Sequence, residues 1–207
     1  MTSFSLQSPA HHLAYQALLQ GNYQQAAHLY EQAAEAEPKT KSHYWYLGVA
    51  LVLQGQEAEA QTAWLLAVAD GEPEEIEQWT AELAQVLETE SDRLEQMGNT
   101  QFAWVMRQHL REIYPDDINN LLRVILLSAQ LGQLTDEALH ELGIIPALEA
   151  DSNEVNSERL LQTLQVVLDK VAPAPIVVDF TSACLKHLPA SMQVLEVVLN
   201  AAIKIAY

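Results

Sequence analysis

The chain has 207 residues, 49% of them hydrophobic, and a formal charge of −18 from 28 acidic and 10 basic residues. A chain of this length buries roughly 70% of its unfolded surface, so it needs neither disulfide nor metal to hold a core. Its negative field repels phosphate backbones, so no nucleic-acid partner is expected. Glutamine, glutamate, alanine and leucine dominate against only seven glycines, and these are strong helix formers. The composition predicts an all-α protein. The lone Cys184 has no partner for an internal disulfide. No basic-then-apolar leader opens the chain, and the longest uncharged window, Ser42 to Gln56, is too short and too polar to span a bilayer. A cytoplasmic protein with no membrane partner is expected.

Taken in chain order, the first third repeats itself. An offset of 34 aligns Leu13 with Leu47, Ala14 with Gly48, Gly21 with Gly55, Ala26 with Ala60, Tyr30 with Trp64 and Ala33 with Ala67. The recurrence predicts two helix pairs, over 7–40 and 41–74. Gly48, Ala60 and Ala67 fall where paired helices approach closely and a larger side chain would overpack. Tyr30 and Trp64 fill the space between one pair and the next. Gly21 and Gly55 end the first helix of each pair, where a left-handed backbone favours glycine.

Further helices follow. Pro73 starts one that runs to about Glu88, with Ile76, Trp79, Leu83, Val86 and Leu87 on one face. Ser91 is placed to cap another, carrying Leu94 to Ile113 and stopping before Pro115, with Gly98-Asn99 as a possible interruption. Asp116 and Asp117 precede a helix ended by Gly132, and Thr135 to Leu142 makes a short one closed by Gly143. The polar run LEADSNEVNSE, residues 148–158, reads as a linker, which divides the chain into 1–147 and 148–207. Three helices are expected beyond it, over about 154–171, 175–188 and 190–206. PAPIVVDF, residues 173–180, could instead hold a strand, but no second strand is in sight to pair with it, so a helix is preferred. In the last helix Met192, Leu195, Leu199 and Ala202 form an apolar stripe, widened by Val194, Val197, Val198 and Ile203. A terminal repeat needs a polar outer face, so this stripe points to self-association or to a missing neighbouring domain.

The 34-residue pattern resembles the tetratricopeptide repeat. Residues 41–74 supply its Tyr44, Leu47-Gly48, Gly55, Ala60, Trp64 and Ala67, with Pro73 one place late; residues 7–40 supply Leu13, Gly21, Ala26, Tyr30, Ala33 and Pro38. The resemblance implies a right-handed solenoid of about eleven helices, regular at first and degenerate towards the C-terminal end. It also implies a concave groove lined by the first helix of each pair, where the family's positions fall on His11, His12, Tyr15, Leu18 and Leu19, then on Trp45, Tyr46, Val49, Val52 and Leu53. His11, His12, Tyr15, Trp45, Tyr46 and Val49 are the expected partner-binding residues, and a peptide or helix is the expected partner. Leu18, Leu19, Val52 and Leu53 read equally well as core. From HHLAYQALLQGNYQQAAHLYEQAAEAEP through SHYWYLGVALVLQGQEAEAQTAW to LKHLPASMQVLEVVLNAAIKIAY, the whole chain is also similar to the N-terminal region of bacterial SPINDLY-type proteins, relatives of O-linked N-acetylglucosamine transferases. That resemblance implies a substrate-recognition or regulatory repeat region ahead of a catalytic half absent here. The asparagine ladder of those transferases is not present, since His12 and Tyr46 hold its places.

The chain shows no motif that carries chemistry. It has no G-x-G loop and no phosphate-binding P-loop. His140-Glu141 begins a zinc-protease pattern, but Ile144 stands where the second histidine belongs; Asp151-Ser152-Asn153 lacks the glycine and glutamate of a calcium loop. His11 and His12 diverge by about 100° on a helix and cannot chelate one metal together. No enzyme, metal or cofactor is expected. Between Glu57 and Asp92 lie eleven acids and no base, a solvated face in the plain reading and a dock for a basic partner in the sharper one.

Overall fold

The computed structural model describes residues 9–150 and 155–206, with side chains described for 10–150 and 155–199. Among the described residues every regular element is a helix: α1 (Pro9–Leu19), α2 (Tyr23–Ala36), α3 (Lys41–Val52), α4 (Glu57–Val68), α5 (Pro73–Gln96), α6 (Thr100–Ile113), α7 (Ile118–Gln130), α8 (Asp136–Glu141), α9 (Ile144–Ala150), α10 (Ser157–Lys170), α11 (Pro175–His187) and α12 (Met192–Ala206). The chain divides into two compact units, the first ending at Met106 and the second beginning at Arg107. Composition had put a break at 147/148. The helices on either side of that point share partners instead, since α9 packs on α7 and α11, and α10 packs on α7 and α11 as well. Residues 151–154 of the expected linker, with the near-miss calcium loop, lie outside the described residues.

In the first unit α1 packs on α2, α2 on α3 and α3 on α4, so each helix meets its neighbour in the chain. The repeat sets this up. Gly21 and Gly55 have φ of +79° and +76°. Asn22 N donates to Ala17 O and Gln56 N to Leu51 O, both at 2.9 Å, so two helices end in the same six-residue turn. Ala26, Ala33, Ala60 and Ala67 are all buried, as are Tyr30 and Trp64. A Cβ on Gly48 would collide with the Trp64 indole, whose Nε1 donates to the Trp45 carbonyl at 3.1 Å. Bare backbone at Gly48 is what lets α4 lie that close to α3. Ala60 is 0% exposed, and Ala60→Leu is expected to cost about 1–3 kcal/mol by overpacking. A urea melt with an unmoved midpoint would remove this packing argument.

Two repeat positions differ in burial. Leu47 is half-buried because α3 has helices on several sides, whereas Leu13 is 53% exposed and is not a core residue as its repeat position had implied. The reason lies in α1's neighbours, α2 and α3, which cover His11, Ala14, Ala17 and Leu18 and leave the Leu13 face to solvent.

The fifth helix departs most from the sequence reading. It does not stop near Glu88 but runs through Gln96, about 36 Å at 1.5 Å per residue. Ser91 is not a cap: it is buried, and its hydroxyl donates to the Glu88 carbonyl one turn back at 2.8 Å. The break comes at Gly98, with φ +74°. Glu72 and Glu75 close a reciprocal capping box ahead of it, with Pro73 in the first turn.

In the second unit α10 packs on α7, α11 and α12, and α11 packs on α8 and α9. Leu121, Ile125, Ile144, Leu148, Leu160, Leu164 and Phe180 are among its buried residues. Asp117 caps α7 by accepting from Asn119 N and Asn120 N, and Thr135 caps α8 by accepting from Ala138 N. Of the segment 173–180, residues 175–180 are helical rather than a strand, entered through an extended Ala174 and Pro175 at the first turn of α11. On α12, Met192, Leu195 and Leu199 are exposed, while Val194 is buried. The side chains of Ala202 and Ile203 lie outside the described residues.

Candidate functional site

The residues expected to line an open groove come together, but not on a surface. His11, Trp45, Tyr46 and Val49 are 2%, 1%, 7% and 0% exposed, Tyr15 is half-buried, and only His12 is exposed. The expectation of a groove floored by Trp45, Tyr46, Val49 and His11 is therefore corrected: these four are core. Leu18, Val52 and Leu53 are core too, and Leu19 is exposed. On α1 the covering helices are α2 and α3, and α5 adds a further layer: it packs against α3 and reaches α1, where Tyr15 Oη donates to Glu90 Oε1 at 2.9 Å.

What α5 closes over is an aromatic cluster. The Tyr30 and Tyr46 rings stack at 5.6 Å between centroids, and Tyr15 meets Tyr46 edge-on at 5.4 Å. His11 is edge-on to Tyr46 at 5.0 Å and to Tyr30 at 5.4 Å, with the His43 ring 6.3 Å away. The outer nitrogen of His43 faces Glu37 Oε2 at 3.2 Å. Edge-to-face and offset geometry suits the ring quadrupoles and adds to the apolar area the rings bury.

Glu90 is the residue that sequence reading missed. It is 0% exposed, and its Oε2 accepts from Arg93 Nε at 2.7 Å. The signal was present: Leu83, Leu87, Glu90 and Leu94 follow one helical stripe, which an assumed break between Glu88 and Ser91 conceals. Burial, with Glu90 nearby, pushes the Tyr46 phenol up to about 12 and raises Tyr15 and Tyr30 further still. All three rings are therefore neutral at physiological pH. The Tyr30 hydroxyl is buried with no hydrogen-bond partner among the described residues.

Burial, with His43 and His12 adding repulsion, lowers the His11 pKa to about 4 from 6.5. The folded value lies below the unfolded one, so the unfolded chain takes up a proton at a pH where the folded chain resists it. Stability is full above pH 6.5 and falls as pH drops towards 4. Between pH 7 and 5 the loss from this one group is about 2 kcal/mol. Urea unfolding at the two pH values should show that difference in the wild type, and His11→Gln should abolish that share of it. An equal pH dependence in both proteins would place the titration elsewhere.

The other sequence candidates are dispersed. His140 and Glu141 line an open cleft of about 520 Å³ in the second unit, with Asp136, Glu137 and Asp179. Cys184 is fully buried, and burial raises its thiol well above the ordinary range, which leaves it protonated and inert. Among the described residues no group of three His, Cys, Asp or Glu is placed to hold a metal ion, and no helix is long and apolar enough to cross a membrane. No protein-family model matches the chain, and no curated protein matches it.

Proposed function

We propose that the chain is a tetratricopeptide-like interaction scaffold that does no chemistry of its own and presents helix faces to another protein. The observation that supports this reading is the recurrence of the hairpin in three dimensions. Residues 34 apart share their turn geometry at Gly21 and Gly55, their buried alanines and their buried aromatics. A unit repeated in this way extends a surface without concentrating reactive groups. The buried carboxylate of the first unit is spent on structure: Tyr15 and Arg93 both donate hydrogen bonds to Glu90. Because α5 fills the space that the first helices of the pairs would leave open, partner contact moves to the exposed faces. The test is capture of interacting proteins on the immobilised chain, followed by cross-linking and mass spectrometry. A partner held in a fixed ratio and cross-linked to one face of the repeats supports the scaffold. Cross-links scattered over both units, or no partner retained in a fixed ratio, count against it.

A further inference from the structure

We infer that the outer face of α4 docks a basic amphipathic helix of a partner protein, through Leu65 and Leu66 and the acidic residues beside them. This rests on the scaffold reading and names its surface and the chemistry of its partner.

Leu65 and Leu66 are 67% and 63% exposed. At 100° per residue they share the outward side of α4 with Ala58, Thr62 and Ala69, all exposed. The Thr62 hydroxyl is spent on the Ala58 carbonyl at 2.9 Å, so this stripe offers little besides apolar surface. The repeat supplies an internal control. One period earlier, the same five positions hold Gln24, His28, Glu31, Gln32 and Glu35, every one exposed and polar. The fold therefore does not require leucine there, and α2 shows what the position holds when it faces water alone.

Charge selects the occupant. The stripe is bordered by Glu57 on one side and by Glu59 and Asp70 on the other, all exposed. From Glu57 to Asp92 there is no lysine or arginine. Lys41, which lies over the Trp79 ring 4.1 Å from its centroid, pairs with Asp70 at 3.3 Å, so the charge left to a partner is carried by the exposed Glu57 and Glu59 and by the wider acidic run. A second copy would bring the same acids to the same border in any two-fold contact, and like charges facing across an interface are costly. An apolar helix face flanked by lysine or arginine satisfies both the leucines and the acids.

The experiment titrates a Leu/Lys amphipathic helical peptide about five turns long into the full chain and into a Leu65→Glu/Leu66→Gln variant, followed by fluorescence anisotropy. The variant installs the residues of the equivalent α2 positions, so folding should be preserved, as a melt would show. It also adds a negative charge, which by itself would tighten a basic ligand. The expected result is binding to the wild type that weakens by about tenfold or more in the variant, and no binding of a Leu/Glu peptide of the same pattern. Equal or tighter binding to the variant would mean attraction by charge alone and would overturn the proposal, as would equal binding of the Leu/Glu peptide. A wild-type dimer in sedimentation that dissociates in the variant would assign the face to a second copy instead. A partner captured from lysate and retained by the variant would leave the scaffold reading standing while this face is lost from it.

Discussion

Trp45→Ala is expected to lower the unfolding free energy by about 3–5 kcal/mol, as truncation of a buried tryptophan does. Trp45 is 1% exposed; its carbonyl receives the Trp64 indole proton at 3.1 Å, in the close approach that Gly48 permits. Alanine keeps the carbonyl that anchors the Trp64 indole, which limits how far the site collapses and puts the cost in the upper part of the range for large-to-small changes. Trp45→Phe should cost less, since the Trp45 Nε1 has no hydrogen-bond partner among the described residues and its loss breaks no bond. Urea unfolding followed by far-UV circular dichroism checks both. If Trp45 lined an open groove, alanine would move the stability by no more than about 0.5 kcal/mol, and a result of that size would put the residue back on the surface.

The same residue shows where sequence reading succeeds and where it stops. The offset of 34 located Gly21, Gly55 and the buried alanines correctly because those positions answer to contacts between sequence neighbours: a helix, its turn and the next helix. That Trp45 and Tyr46 are buried depends on several tertiary neighbours at once, among them α5, which arrives from later in the chain and packs against α3. Local periodicity does not report such an arrival. The misplaced break in α5 made it harder to see. Serine before a helical run reads as a cap, yet Ser91 donates to Glu88 O within an unbroken helix. With the break assumed there, Glu90 fell into a presumed loop rather than onto the stripe with Leu87 and Leu94.

The second unit repeats the lesson in smaller form. Helix α9 lies where the sequence reading passed from Gly143 to a linker at 148; its Pro146 stands in the first turn, where proline is tolerated because its missing N–H has no intrahelical partner to lose. The Ile-Val-Val run of α11 carries β propensity and is nevertheless helical, with Val177, Phe180 and Cys184 buried on one face. Packing against α9 and α10 overrides an intrinsic preference worth at most about 1 kcal/mol.

Glu90 leads to the second large expectation. Arg93→Met should cost about 3–5 kcal/mol, because it strands a fully buried carboxylate without its counter-charge. Glu90→Leu should cost less, since the Arg93 side chain is 19% exposed and the guanidinium left behind can turn towards water. The double variant Glu90→Leu/Arg93→Met should recover most of the loss of the arginine variant, because removing both charges removes the desolvation cost together with the attraction. The signature is thus an order and a coupling: arginine worse than glutamate, and the pair far from additive. Equal single costs that simply add would mean that the 2.7 Å contact carries no energetic weight. Tyr15→Phe extends the argument to α1, at about 1.5–3 kcal/mol for a hydrogen bond to a charged acceptor. Near-UV circular dichroism reports whether α5 stays docked, because the stacked and edge-on tyrosines beneath it lose their fixed geometry when it lifts. In Glu90→Leu that signal should survive, since Leu83, Leu87 and Leu94 still bury the same stripe. In Arg93→Met it should weaken, because the buried carboxylate left without its counter-charge favours states in which α5 lifts and water reaches it.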